Sequence, residues 1–220
     1  MKSVLSTIKI NKNLENSFKE NNIELTQHDF IKTEIKNFDI PKKYKNWIFT
    51  SKNAVNAVFS SKYKINYKNY NYYCVGENTE YLLTKNGQKV SKMANNSIKL
   101  ANFIKKNDKK DSYLYFRGSI KNNDFSSFFK KNNIALKEVI VYKTFLTPKK
   151  MGKKFDGIMF FSPSGVKSFR SKNKIRNCMC FCIGNTTLNY LQTYYDKGFS
   201  VKTPSIENVV NKTIHYFNHE

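Results

Sequence analysis

Two stretches of this chain are spelled twice. Trp47-Ile48-Phe49-Thr50-Ser51-Lys52-Asn53-Ala54-Val55 returns as Ile158-Met159-Phe160-Phe161-Ser162-Pro163-Ser164-Gly165-Val166, and Cys74-Val75-Gly76-Glu77-Asn78-Thr79 returns as Cys182-Ile183-Gly184-Asn185-Thr186-Thr187. Both pairs share an offset of roughly 110 residues, far outside the roughly 20–50-residue periods of solenoids. Each copy reads as an apolar strand, a small polar turn and a helix. Such turns leave N–H groups at a helix start without backbone partners, open to a ligand or to water. A chain of 220 residues has room for one large domain or two small ones, and the duplication favours two. A cleft between two α/β domains is where function is expected.

The rest of the chain supports that reading. Strands are predicted at Val4–Thr7, Ile23–Leu25, Trp47–Phe49, Tyr72–Val75, near Gln88–Val90, and at Tyr113–Phe116, with helices over 13–21, 52–60, 79–85, around 98–104 and 125–131. Leu14 and Phe18 stand four apart on one face of the first helix. Asn86-Gly87 stops the third. Lys137–Phe145 is the longest strand-like run, bounded by Pro148 and a lysine-rich stretch. The second copy then supplies strands at 157–161, 179–183 and 200–202 and helices at 165–171, 187–195 (ended by Gly198) and 206–217. Strands alternating with helices specify an open parallel sheet with helices on both faces.

The second copy lacks opening strands and the first thirty residues lack a partner. The economical solution is a discontinuous domain of residues 1–30 with 150–220, and an inserted domain of residues 40–136. Two crossings, 31–38 and 138–147, both strand-like, are expected to pair as a two-stranded hinge ladder that lets the domains close.

A formal charge of +23 suggests a nucleic-acid binder. Yet only Arg117, Arg170 and Arg176 are arginines; the other basic residues are lysines spread along the chain. Readers of base edges rely on the bidentate guanidinium, so the charge argues rather for faster encounter with a polyanionic small molecule. Cys178, Cys180 and Cys182 alternate along one strand, which puts them on one face as small packing residues rather than as zinc ligands. His28, His215 and His219 have no carboxylate motif beside them, so no metal is assigned. No apolar run approaches the ~18–20 residues of a membrane span, and Met1–Leu5 is too short for a secretory h-region. A soluble, cytoplasmic protein is expected.

The ordered motifs resemble those of uroporphyrinogen-III synthases. Carrying the resemblance are Phe49-Thr50-Ser51 with Asn53-Ala54-Val55, Val75-Gly76-Glu77-Asn78-Thr79, Tyr115-Phe116-Arg117-Gly118, Val141-Tyr142-Lys143-Thr144, Phe160-Phe161-Ser162-Pro163-Ser164-Gly165-Val166, Ile183-Gly184-Asn185-Thr186-Thr187, and Pro204. The resemblance implies an α/β fold of two flavodoxin-like parallel-sheet domains joined by a two-stranded β-ladder hinge. Two positions depart from the family pattern. Thr7 is followed by Ile8 and Lys9 where the family often has Thr-Arg, and Asn22 stands where a glycine is usual.

The resemblance further implies conversion of hydroxymethylbilane to uroporphyrinogen III, with loss of water and inversion of the last pyrrole ring, without metal or cofactor, by a monomer. The substrate is an octacarboxylate. Its arms are expected on Thr7, Lys9, Thr50, Ser51, Asn53, Gly76, Thr79, Arg117, Gly118, Ser162, Pro163, Ser164, Gly165, Gly184, Thr186 and Thr187. Ordinary N-capping is the competing role for the hydroxyls among them, and capping of the sheet edge for Arg117-Gly118. Tyr142 is the expected catalytic acid, a phenol on the hinge strand that helps the substrate hydroxyl depart; a strand tyrosine packed between the domains is its competing role. A non-catalytic two-domain binder of a small polyanion is the alternative that the same duplication would explain.

Overall fold

A computed structural model describes residues 1–60, 67–107, 110–120 and 123–219. The chain divides into two compact units, Met1–Lys32 with Phe145–Glu220, and Thr33–Thr144. The boundary between the units falls within each of the two crossings, between Lys32 and Thr33 and between Thr144 and Phe145.

In chain order the first half holds β1 (Lys2–Ser6), α1 (Lys12–Glu20), β2 (Ile23–Gln27), β3 (Ile31–Ile35), β4 (Asn46–Phe49), α2 (Lys52–Phe59), β5 (Asn71–Val75), α3 (Glu77–Lys85), β6 (Val90–Ala94) and α4 (Ser97–Asn107). The second half holds β7 (Ser112–Gly118), α5 (Asn123–Lys131), β8 (Ala135–Leu146), β9 (Gly157–Phe160), α6 (Pro163–Arg170), β10 (Met179–Cys182), α7 (Asn185–Gln192), β11 (Gly198–Ser200) and α8 (Ile206–Asn218). A short 3-10 turn, Tyr67–Asn69, was not anticipated. Gly198 opens β11 instead of ending the preceding helix, which stops at Gln192 under a Thr193 cap.

Every element of the first half has a counterpart half a chain later, with β8 running straight where β2 and β3 are separate. The sheets, however, are not assembled half by half. The first unit orders its strands β11-β10-β9-β1-β2, and the second orders them β3-β8-β7-β4-β5-β6. Counted from the start of each half, both five-strand cores follow 2-1-3-4-5, the flavodoxin-like order. Each unit therefore takes its first two strands from one half and its last three from the other. This exchange explains why the second spelled copy is short of opening strands. The pairings within each core are parallel. β3 is edge partner to β8, so the expected ladder is continuous with the second sheet rather than a separate ribbon.

Period-2 alternation along the strands feeds two apolar layers in each unit. In the second unit, Trp47, Phe49, Leu114 and Phe116 pack with α2 and α3, while Ile48, Tyr113 and Tyr115 pack with α4 and α5. In the first, Leu5, Ile158, Phe160, Cys180 and Cys182 meet α6 and α7, while Val4, Met159 and Phe181 meet α1 and α8. Cys178, Cys180 and Cys182 are buried, free and in one cluster, as their spacing requires. Asn22, at the position of the missing glycine, has φ 53. Asparagine is the non-glycine residue that best tolerates this left-handed conformation, which is how the chain makes the turn without the glycine.

A candidate carboxylate and phenol site at the strand ends

In doubly wound sheets, ligands bind beyond the carboxyl ends of the strands where the winding reverses. That point lies between β4 and β7 in the second unit and between β1 and β9 in the first. The spelled turns stand at both.

In the second unit, β4 is wholly buried between β5 and β7, and its end delivers Thr50 and Ser51. Ser51 is the N-cap of α2, its Oγ accepting from the Asn53 N–H at 3.2 Å. Tyr142 donates its phenolic hydrogen to the same Ser51 oxygen at 3.1 Å. Thr50 Oγ1 is 2.8 Å from the hydroxyl of Tyr115, on β7. Two phenols from neighbouring strands thus stand behind two consecutive hydroxyls of one turn.

The position of Tyr142 depends on a local irregularity. The β7–β8 register runs Arg117↔Ile140 and then Gly118↔Tyr142, skipping one residue of β8. A bulge of this kind re-aims the side chains that follow it. It sets the Tyr142 ring over Gly118, where an added Cβ would lie 2.6 Å from two ring carbons. Gly118 is required for the space it leaves. Ser119 fixes the same stretch of β8, its N–H donating to the Tyr142 carbonyl at 2.9 Å and its Oγ accepting from the Thr144 N–H at 3.1 Å.

Arg117 is committed inside the sheet. Its Nε pairs with Glu138 at 2.5 Å and its guanidinium also donates to the Gly118 carbonyl at 2.8 Å. β7 is an interior strand, so Arg117 ties β7 to β8 and does not cap a sheet edge. Burial raises the phenol pKa of both Tyr115 and Tyr142, with their hydrogen bonds to Thr50 and Ser51 opposing the shift. Both phenols are therefore neutral, with a proton to give, throughout the physiological range.

The turn of the first unit is self-contained. Ser162, N-cap of α6, accepts from the Gly165 N–H at 3.0 Å and lies 3.0 Å from Ser164 Oγ, while Pro163 occupies the first helical turn. Thr7 is buried and donates to the Met159 carbonyl at 2.7 Å, which removes its hydrogen from any ligand. Lys9 has an exposed side chain, and its N–H is held by Asp29 at 2.7 Å.

The second pair of turns also departs from expectation. Gly76 and Gly184 cap α3 and α7 without any side-chain hydrogen bond. Thr79 and Thr187, expected to hold substrate, are buried, and their N–H groups return to the Gly76 and Gly184 carbonyls. Helical packing of the third residue of each helix takes them out of reach. Thr186 stays exposed. α3 carries Glu77 and Glu80 in its first turn whereas α7 carries no acid there. An arriving carboxylate is thus repelled at the first of these ends and not at the second. A cavity of about 240 Å³ in the first unit, floored by Phe155, Ile158, Phe169 and Cys178, is lined by none of these residues and does not mark the site.

The sequence reading missed Tyr115, Ser119 and Glu138. Tyr115 stood inside a quoted motif, and its position near the end of a strand beside the winding reversal was the available signal.

The family model of uroporphyrinogen-III synthase HemD matches residues 11–211. The chain belongs to the uroporphyrinogen-III synthase family. Comparison with curated proteins found no match. Among solved structures, the uroporphyrinogen-III synthetase of Helicobacter pylori superposes with a TM-score of 0.72 at 20% identity, covering 98% of this chain and 100% of that one. A mutant uroporphyrinogen III synthase of the extreme thermophile Thermus thermophilus gives 0.73 at 9% identity, covering 99% and 98%. At such identities these two establish the shared two-domain α/β fold. Among the described residues there is no cluster of three metal-ligating side chains, and no helix is long and apolar enough to cross a membrane.

Proposed function

We propose that this chain is a cyclising lyase of porphyrin biosynthesis that converts hydroxymethylbilane to uroporphyrinogen III and water, inverting the last pyrrole ring. The observation that carries the reading, in a chain of this family, is the Tyr142 phenol resting on Ser51 at the end of β4.

The substrate must lose a hydroxyl from its first ring, helped by the pyrrole nitrogen lone pair. Proton donation from Tyr142 turns that hydroxyl into water and leaves an azafulvene-type electrophile. The substituted carbon of the last ring attacks to give a spiro intermediate. The bond from that carbon to the bridge of the third ring then breaks, and the bridge re-bonds to the unsubstituted carbon on the other side of the last ring's nitrogen. The proton lost from this carbon as the ring rearomatises returns to the phenolate. A buried phenol is a weak acid, so the lone pair supplies most of the driving force, and loss of Tyr142 slows turnover without abolishing it. Unassisted closure gives the type I isomer, so the protein must also steer. A difference of ~2.7 kcal/mol between the two barriers gives a hundredfold preference, within what fixing two chain ends contributes. Carboxylate arms are taken at the exposed or half-exposed strand-end positions Thr50, Ser51, Asn53, Ser162, Ser164, Gly184 and Thr186.

Mixing the protein with enzymatically generated hydroxymethylbilane and oxidising the products tests the reading. Type III porphyrin should dominate; type I as the main product would leave only a polyanion binder. The protein is expected to act in the cytoplasm as a monomer, and sedimentation at the mass of one chain, 25.8 kDa, checks the oligomeric state.

A further inference from the structure

We propose that Tyr115 is a positioning residue that makes Thr50 a hydrogen-bond donor to a substrate carboxylate, completing with Ser51 a two-proton carboxylate grip. The ligand's identity rests on the function proposed above; the grip itself rests on geometry within the second unit.

A hydroxyl oxygen has one hydrogen to give and two lone pairs to receive with. Ser51 Oγ receives from the Tyr142 hydroxyl and from the Asn53 N–H. Both lone pairs are occupied, and what remains to meet a ligand is its own hydrogen. Thr50, the adjacent residue, is half-buried, and its Oγ1 bonds to the Tyr115 hydroxyl at 2.8 Å. Among the described residues, neither hydroxyl makes another hydrogen bond. The pair can be polarised in two directions. If Thr50 donates, it turns lone pairs outward and repels a carboxylate. If Tyr115 donates, Thr50 turns its hydrogen outward beside that of Ser51. A carboxylate selects the second arrangement, since it accepts and does not donate.

Tyr115 is built to hold this arrangement. The residue is 5% exposed and its ring lies in the apolar layer with Phe125, whose centroid is 5.0 Å away. The ring cannot follow solvent, so the hydroxyl stays on Thr50. The fold needs only that ring, and phenylalanine supplies one of the same shape. The hydroxyl is left with a role in the site.

The test is Tyr115→Phe. The Michaelis constant for hydroxymethylbilane should rise about three- to tenfold, the effect of one ordinary hydrogen bond, with turnover at saturation changed less than about twofold. Thr50→Val should do the same, and the double variant should be no worse than either single one, because the two hydroxyls act as one unit. Binding of uroporphyrin III, an octacarboxylate, followed by fluorescence quenching, gives a readout that needs no turnover. Tyr115→Phe should weaken it by a similar factor. Wild-type protein that makes no type III isomer overturns the enzymatic reading alone. Equal porphyrin affinity in wild type and Tyr115→Phe, or additive losses in the double variant, overturns the grip whether or not the protein turns over.

Discussion

The turn after β4 and the turn after β9 are spelled almost alike and are hydrogen-bonded differently. Ser51 and Ser162 both cap a helix. Half a chain separates each residue from its counterpart, so the partners can be compared directly. By strand register Phe161 stands in for Thr50, Ser6 for Tyr115 and Thr7 for Phe116. In the first unit, Ser6 gives its hydrogen to the Ile8 carbonyl at 2.6 Å and Thr7 gives its own to Met159. In the second, the Tyr115 hydroxyl lies on Thr50, and Gly118 leaves a space that the Tyr142 ring fills. Duplication supplied two similar backbones with open helix starts. A glycine and two tyrosines on adjacent strands then turned one of them into a phenol-backed donor pair, while the other closed on itself.

The largest expected effect breaks this asymmetry at its origin. Gly118→Ala places a methyl 2.6 Å from the Tyr142 ring, and the ring must move off Ser51. Turnover should fall at least about tenfold and stability by about 1–3 kcal/mol, the usual cost of overpacking, read from steady-state rates and urea unfolding. Thr7→Ala, at the buried hydroxyl that follows β1 in the other unit, removes one internal hydrogen bond, costing about 1 kcal/mol, and should disturb turnover much less. Equal turnover losses in the two variants would mean that the space at Gly118 matters only for packing.

The serine caps sharpen the comparison. Ser51→Ala and Ser162→Ala should each cost about 0.5–2 kcal/mol as lost N-caps. Only Ser51→Ala also unseats Tyr142, so only it should shift product from type III toward type I by several fold. Chromatography of the oxidised porphyrins separates the two isomers. A matching shift from Ser162→Ala would show that both turns steer the closure equally.

Much of this was legible in the residues because local chemistry dictates it. Ser51 and Ser162 announce helix starts before apolar runs, and alternating Cys178, Cys180 and Cys182 announce one buried strand face. The strand order was within reach once the repeat offset was seen to equal half the chain. β6 was placed too early because Gln88, buried at the turn, reads like the start of a strand. The site was less legible. Nothing in the spelling of β8 reveals the one-residue slip that puts Tyr142 over Gly118. Nor could Arg117 be known to be paired until Glu138 was found diagonally across from it on β8. Side-chain partnerships across strands depend on register, and single-sequence patterning leaves register open.

Scaffold features that the halves share should respond alike, and alkaline pH probes one of them. Cys74 at β5 and Cys182 at β10 are counterparts, and burial pushes each thiol up to about 12 from a usual 9.0. The folded chain therefore holds these protons more tightly than the unfolded one. Their contribution to stability is complete below about pH 9 and is lost as pH rises from about 9 toward about 12. Urea midpoints should fall steadily over that window. Cys74→Val and Cys182→Val should flatten the fall by similar amounts, and a response confined to one of them would deny the equivalence of the two strands.

The smallest effect concerns two turns with no part in chemistry. Asn22, between α1 and β2, has φ 53, and Asn133, between α5 and β8, has φ 54. Each N–H donates to the carbonyl three residues back, Lys19 at 3.0 Å and Lys130 at 3.2 Å. A Cβ without a polar group to compensate is strained in this conformation, so Asn22→Ala and Asn133→Ala should each cost about 1 kcal/mol. Glycine at either position should be close to neutral, since relief of strain is offset by the extra freedom glycine gains when unfolded. Each pair of variants should give matching urea midpoints, with the type III product fraction unchanged in all four. Matching losses here, beside unequal ones at Gly118 and Thr7, would locate the divergence of the two halves in the residues at the strand ends and leave their shared backbone out of it.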